Sequence, residues 1–287
     1  MADETRKPNI VKAVISDYAF TISVWALGLA GLTAPLGILG YLFVNGISVI
    51  EWGFLTQGPG GLPLGATGGI GPAIQGSLAL VGVGTAFAFP LGVGGAIYLA
   101  EYGKPGPVLR SFRFAAECLA GIPAIVYGLF GYAFLVVFMS LRVSLLAGGI
   151  TLGFLMFPVI LIGSHEAIKA VENDYREASL SLGVTRSYMV RRIILKKAWA
   201  GILGVTTLAI GHAMGSASPV LYTASVIFTH GELSLSAPVM TLPTHLYYLV
   251  GEAVSFEHAY GTAFVMLIVV LLSNIAGLAL KKLGALN

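Results

Sequence analysis

Long apolar runs are the feature of this chain that most restricts its fold. A helix that crosses a membrane needs about 20 mostly apolar residues. Hydrophobic residues make up 56% of the chain and charged residues only 10%, which is too apolar for an ordinary soluble domain. We therefore predict an all-α membrane protein with six transmembrane helices, at Tyr18–Val44, Ile74–Ala100, Phe114–Leu141, Leu145–Gly163, Ala198–Pro219 and Tyr260–Leu280.

The distribution of Lys and Arg predicts the orientation, because cytoplasmic loops of membrane proteins are enriched in these residues. With the N-terminus inside, all of the 16 basic residues except Arg142 are cytoplasmic. We expect both termini in the cytoplasm of a multi-pass cell-membrane protein. Residues 1–17 would be a cytoplasmic N-terminal segment and residues 18–282 a single transmembrane domain. The net charge of +3 then reflects topology and does not indicate nucleic-acid binding.

The most highly charged stretch lies between the fourth and fifth predicted spans, at residues 166–197. Helical spacing continues to Leu182, and Gly183 is placed to end that helix at positive φ. Thr185 fits the N-cap of a second helix that enters the fifth span. The pattern predicts a short helix, a sharp turn and a second helix in water. The alternative is a loop whose charges only keep it solvated.

Polar residues in the fifth predicted span are candidates for a translocation path. His212, Ser216 and Pro219 recur at helical intervals of three to four, so one helix face could be polar. His212 could instead bond a carbonyl of a neighbouring helix. We take the candidate path residues to be Thr206, His212, Ser216 and Ser218.

Residues 220–259 contain no Lys or Arg and are too long for a plain helix connection. We expect an outer loop there, with a short helix or re-entrant piece around Met240–Val250. Near the third span, Arg113 and Glu117 are one helical turn apart and are expected to pair. The single cysteine, Cys118, excludes an intrachain disulfide and is expected to be a buried thiol.

Catalytic patterns are absent from the sequence. No G-x-x-x-x-G-K-[ST] phosphate loop occurs, the five His are scattered, and no Ser/His/Asp set can be named. We predict that the chain is not catalytic alone and holds no metal and no cofactor of its own.

Several motifs resemble one family. The run REASLSLG, followed by RIIL, is similar to the EAA loop of ABC-importer permeases, with Ser179 in place of the usual third Ala and Lys196 in place of the usual Pro. The runs AIQGSL, PLGVGGAIYLAEY, LAGIPAIVYGLFG and APVMTLPTHLY resemble the permease subunits of the phosphate-specific ABC importer, of the PstA type. That group belongs to the binding-protein-dependent transport system inner membrane component family.

The resemblance implies a type I transmembrane domain with a cytoplasmic coupling helix, which translocates inorganic phosphate by alternating access. Partners would be nucleotide-binding ATPase subunits, which bind ATP and Mg, a second related permease in a heterodimer, and an extracytoplasmic phosphate-binding protein. Ala178 and Ser179 would seat in a cleft of the ATPase, Glu177 would add a polar contact, and Gly183 would set the angle to the fifth span. The residues facing the binding protein would be Met240, Thr241 and Pro243.

Three other functions remain open at this point. The family usually has Gly-Glu-x-x-Pro where this chain has Gly215, Ser216 and Pro219, so the substrate could be another oxyanion such as molybdate, tungstate or sulfate. A self-contained secondary transporter would show intramembrane carboxylates or an inverted repeat. A membrane enzyme would need a catalytic set that the sequence does not display.

Overall fold

The computed structural model describes residues 10–104, 106–228 and 233–285, and these fold almost entirely into helices. Five helices are long and apolar enough to cross a membrane. They are α1 (Ile10–Gly46), α3 (Gly71–Ile97), α6 (Leu145–Lys169), α9 (Leu195–Met214) and α12 (Phe256–Ala285). The shorter helices are α2 (Trp52–Thr56), α4 (Pro107–Ala120), α5 (Ala124–Gly131), α7 (Asn173–Ser181), α8 (Arg186–Met189), α10 (Ser218–Leu221) and α11 (Leu242–Gly251). A two-stranded hairpin, β1 (Pro59–Gly60) with β2 (Thr67–Gly68), follows α2.

The third predicted span, Phe114–Leu141, differs from the sequence-based expectation. It is broken between α4 and α5, whose axes are bent by 99°. Pro123 is the N-cap of α5 and lies at the bend. Since proline lacks an N–H and disfavours the α conformation in the residue before it, the chain turns at Gly121–Pro123. The described residues therefore hold five unbroken spans, or six if the bent pair counts as one.

Helix α6 lies at the centre of the bundle and packs against α3 and α9. Small residues let α3 and α6 approach closely. A Cβ atom on Gly153 would lie 3.0 Å from the carbonyl oxygen of Gly84, and one on Gly92 would lie 2.8 Å from Cγ2 of Ile160. Helix α1 packs mainly on α12 and is exposed along most of its length. Its apolar surface suits contact with lipid or with another subunit.

The contacts divide the predicted loops between two ends of the bundle. At one end, Arg113 of α4 bonds Glu117 at 3.1 Å and Glu166 of α6 at 3.4 Å. At the other end, the backbone N–H of Ser144 bonds the carbonyl of Thr223. The stretches carrying most of the described Lys and Arg thus share one end, and residues 220–228 lie at the opposite end. This arrangement agrees with the predicted sidedness, while the orientation in a membrane stays a prediction.

Two smaller expectations can be compared directly. The predicted Arg113–Glu117 pair is confirmed. The prediction for Cys118 is wrong, because its side chain is exposed. The cause is the bend after α4, which leaves most of this helix outside the core; Ala116 is its one fully buried residue among those described.

Candidate functional site

The predicted helix, turn and second helix are present between α6 and α9. Helix α7 ends at Ser181, and Gly183 has a φ of +69°. The N–H of Gly183 bonds the carbonyl of Leu180 at 3.0 Å, and the N–H of Val184 bonds that of Ser179 at 3.1 Å. This pair of bonds is a Schellman motif, which satisfies carbonyls at a helix end and favours glycine at the left-handed position. The turn therefore depends on Gly183, as the sequence indicated.

The second helix starts as predicted and continues into the fifth span. The Oγ1 atom of Thr185 accepts a hydrogen bond from the N–H of Tyr188 at 3.4 Å, which caps α8. From α8 the chain passes through a π-helical turn, Val190–Ile194, directly into α9. Lys196, where the resembled family has Pro, lies within this uninterrupted helix. The turn at Gly183 is thus joined to the fifth span by one continuous helix.

The two small residues of the predicted coupling segment point in different directions. Ala178 and Glu177 are exposed, whereas Ser179 is 4% exposed, and its Oγ donates to the carbonyl of Tyr175 at 2.6 Å. In this conformation Ser179 packs α7 onto its own chain, so only Ala178 is available to a partner. Leu180 and Leu182 are 61% and 81% exposed. Both are large apolar side chains that the rest of the described chain does not cover.

An ion pair that we did not predict attaches α7 to the transmembrane helices. The guanidinium of Arg176 donates from Nη2 to Oε1 of Glu101 at 2.7 Å and from Nε to the same oxygen at 3.0 Å. It also donates to the backbone carbonyls of Ile168 and Val171 at 3.0 and 2.6 Å. Glu101 is 3% exposed and lies in the π-helical turn after α3. Arg176 therefore joins α7 to the ends of both α3 and α6.

The sequence did contain a signal for this pair. Glu101 is the acidic residue of the AIYLAEY run, immediately after an apolar span, and Arg176 directly precedes Glu177. A carboxylate at such a position must be paired if it is buried. The partner could not be assigned, because the residues are 75 positions apart and the central stretch offers seven basic residues.

The four candidate path residues do not form one polar face. Thr206 is buried, and its Oγ1 donates to the carbonyl of Ile202 at 2.8 Å, whereas His212 is exposed. Helix α9 ends at Met214, so Ser216 and Ser218 lie beyond it. The Oγ of Ser216 donates to the carbonyl of His212 at 2.9 Å. Their role in translocation stays a prediction.

The expected short helix in the 220–259 segment is present as α11. However, Met240, Thr241 and Pro243 are buried within the chain, because the N-terminus of α11 packs against α3. The N–H of Leu242 bonds the Oγ of Ser77 at 2.8 Å. The structure therefore does not present these three side chains to a partner; Tyr247 and Val250 are the large exposed side chains of α11.

Three comparisons place these features among known proteins. The model of the family described as binding-protein-dependent transport system inner membrane component matches residues 92–283. The chain is 31% identical over 287 residues to the phosphate transport system permease protein PstA 1 of Mycobacterium tuberculosis, covering 96% of this chain and 90% of that protein. It is 29% identical over 272 residues to the probable ABC transporter permease protein YqgI of Bacillus subtilis, covering 88% and 92%.

Solved structures share the fold at lower identity. A chain of a bacterial ABC transporter that imports alginate matches with a TM-score of 0.60 at 13% identity, covering 95% of this chain and 96% of that one. A chain of the MetNI methionine ABC transporter, in an inward-facing form, matches with a TM-score of 0.58 at 18% identity, covering 75% and 94%.

Proposed function

Because the chain belongs to the binding-protein-dependent transport system inner membrane component family, a non-catalytic membrane component of ABC importers, we propose that it imports inorganic phosphate. In this proposal it is the PstA-type permease subunit of an ATP-driven complex. The observation that supports phosphate as the substrate is the likeness to a phosphate permease along 96% of this chain. A likeness of that extent covers the transmembrane helices as well as the coupling segment.

Helix α7 is proposed to dock on a separate ATPase subunit. Three exposed residues of α7 would form the contact: the small Ala178, the polar Glu177 before it and the apolar Leu180 after it. Ser179 and Gly183 contribute indirectly, since one packs α7 onto the chain and the other fixes the turn. Closure of the ATPase dimer on ATP would move α7 and tilt the attached helices from inward- to outward-facing, and hydrolysis would reverse the change.

A second related permease and an extracytoplasmic phosphate-binding protein complete the proposed complex. ATP and Mg would be held by the ATPase subunits. Among the residues that the structure describes, no three His, Cys, Asp or Glu side chains lie together as a metal site. On the opposite side from α7, the exposed part of α11 around Tyr247 and Val250 is the surface we propose for the binding protein, in place of the buried Met240, Thr241 and Pro243.

The test is ATPase activity of the complex reconstituted in liposomes. We expect the binding protein to stimulate ATP hydrolysis when it is loaded with phosphate, and not when it is incubated with molybdate, tungstate or sulfate instead of phosphate. Glu177→Lys or Gly183→Pro should abolish that stimulation and leave membrane insertion intact. If only another oxyanion stimulates hydrolysis, that oxyanion and not phosphate is the substrate. Unchanged stimulation in both variants would refute the docking role of α7.

A further inference from the structure

A basic cavity lies beside α4, at the same end of the bundle as α7. Its volume is about 260 Å³, and it is lined by Arg110 and Arg113 of α4 and by His165 and Lys169 of α6. Arg113 is shared between Glu117 and Glu166, and His165 Nδ1 lies 3.2 Å from Glu166. Within the described part of the chain, Arg110 and Lys169 have no carboxylate at salt-bridge distance. Two cations without a paired carboxylate therefore line one cavity, and because Arg113 serves both Glu117 and Glu166, these three basic and two acidic side chains have a net charge of +1.

An apolar groove of about 440 Å³ begins one helical turn away along the same two helices. Ala116 of α4 and Leu161 of α6 line the basic cavity, and Leu119 and Phe157 line the groove. The remaining groove residues are aromatic or aliphatic: Phe87, Leu91, Ile122, Val126, Tyr127, Phe130 and Phe154. The one side-chain hydroxyl among them, on Tyr127, donates to the carbonyl of Leu119 at 2.7 Å. The groove offers nothing to a polar ligand.

Helix α4 itself has the composition of a helix that lies on a membrane surface. It is bent by 99° from α5, and it carries Arg110 and Arg113 together with Phe112 and Phe114, which are 63% and 66% exposed. Basic and aromatic residues on one interfacial helix bind anionic lipid surfaces. If α5 runs through the bilayer, α4 lies along its surface and the basic cavity is at headgroup depth.

We propose that this cavity and groove together bind one anionic phospholipid. The headgroup phosphate would lie between Arg110 and Lys169, and an acyl chain would extend past Leu119 into the groove. A free phosphate ion would satisfy the cations but would leave the adjoining apolar groove without an occupant. A neighbouring protein helix would need both an apolar face for the groove and a carboxylate placed at the cations, whereas every anionic phospholipid carries both chemistries, so a lipid matches both halves of the site.

The probe is phosphatidylglycerol, compared with phosphatidylcholine, added to the full chain purified with its co-expressed subunits. Retained lipid is counted by native mass spectrometry. The double variant Arg110→Gln/Lys169→Gln removes the headgroup charges, and Val126→Trp obstructs the groove at a side chain that is 45% exposed. The matched control, Arg192→Gln/Lys196→Gln, removes two exposed charges elsewhere at the same end.

We expect wild type to retain phosphatidylglycerol over phosphatidylcholine, and the headgroup variant to bind it about 25-fold more weakly, or about fivefold per removed charge. Val126→Trp should weaken binding as well, and the control should resemble wild type. Equal loss in the control would show a general charge effect and overturn the proposal. Displacement by millimolar inorganic phosphate, with no effect of Val126→Trp, would identify a free-anion site. No preference of wild type for phosphatidylglycerol over phosphatidylcholine would overturn the proposal.

Discussion

Removal of the Glu101 carboxylate should release α7 from the transmembrane helices. In the folded chain this side chain is 3% exposed and accepts two hydrogen bonds from Arg176, whose own side chain is 19% exposed. Breaking a buried pair by removing one partner typically costs about 3–5 kcal/mol, because the other charge is left uncompensated. Arg176 would keep its bonds to the carbonyls of Ile168 and Val171 and some access to water. We therefore expect the lower end, about 3 kcal/mol.

Hydrogen–deuterium exchange of the α7 amides measures this cost locally. If α7 opens by detaching from the bundle, a loss of about 3 kcal/mol raises the exchange rate of residues 173–181 about 150-fold in Glu101→Ala. Amides in the middle of α6, far from the pair, should change little. The purified full chain in detergent is sufficient, because the contact lies entirely within it.

A double-mutant cycle separates this pair from a general disturbance of α3. Each of Glu101→Ala and Arg176→Ala breaks the same contact, and the double variant leaves neither charge unpaired, so it should exchange no faster than the faster single variant. Additive effects of the two substitutions would refute the argument that the ion pair holds α7. Exchange in α7 that is unchanged in Glu101→Ala would refute it as well.

Three further substitutions test other parts of the structure. Gly183→Ala should destabilise the turn by about 1 kcal/mol, because the residue must keep a φ of +69°. The cost is conformational and not steric, since a Cβ atom there meets nothing within 4 Å. The N–H of Val184 should then exchange about fivefold faster. Thr185→Ala removes the N-cap of α8 and should cost about 1 kcal/mol, seen as faster exchange in residues 186–189 but not in α7. The pKa of His245 is lowered to about 4, first by burial and then by the charge of His258. The unfolded chain therefore binds this proton more tightly than the folded chain, so stability falls as the pH drops from about 6.5 towards 4, by about 2 kcal/mol between pH 7 and pH 5. Thermal unfolding at the two pH values should show this loss in wild type but a smaller one in His245→Gln; equal losses would exclude His245 as the cause.

Local sequence rules predicted the helix, turn and second helix between α6 and α9 well, because this structure depends on neighbouring residues. Gly183 and Thr185 each act within four positions of their own, through a helix end and a helix start. The long apolar windows were equally informative, since span length follows from bilayer thickness. The Arg113–Glu117 pair was predictable for the same reason, being one helical turn apart.

The errors occurred where contacts distant in the chain decide the structure. Hydropathy could not show that the window 114–141 bends by 99°, because apolar composition is the same in a straight and in a broken helix. The direction of Ser179 is set by packing of α7 against the bundle, which no local pattern encodes. Met240 is buried because α11 packs on α3. The hydrogen-bonded residues of these two helices, Leu242 and Ser77, are 165 positions apart in the sequence. In each case the sequence indicated an element but not the neighbour that fixes its orientation.

The two attachments of α7 together constrain how the proposed power stroke can act. Through Gly183 and α8, α7 leads into α9; through Arg176, it holds Glu101 after α3 and the end of α6. The chain itself joins α7 to α6 through residues 170–172 and to α9 through α8; the contact with Glu101 adds α3. With the ion pair in place, α7 can move only by carrying α3 as well, or by breaking the pair, whereas without it α7 could move and leave α3 behind. Loss of the Arg176–Glu101 contact should therefore leave ATP hydrolysis running without transport, whereas loss of the Ala178 docking surface should reduce stimulated hydrolysis itself. Parallel measurement of ATPase rate and phosphate uptake in Glu101→Ala and Ala178→Arg distinguishes the two, and a proportional fall of both rates in both variants would show that the Arg176–Glu101 attachment has no separate part in coupling.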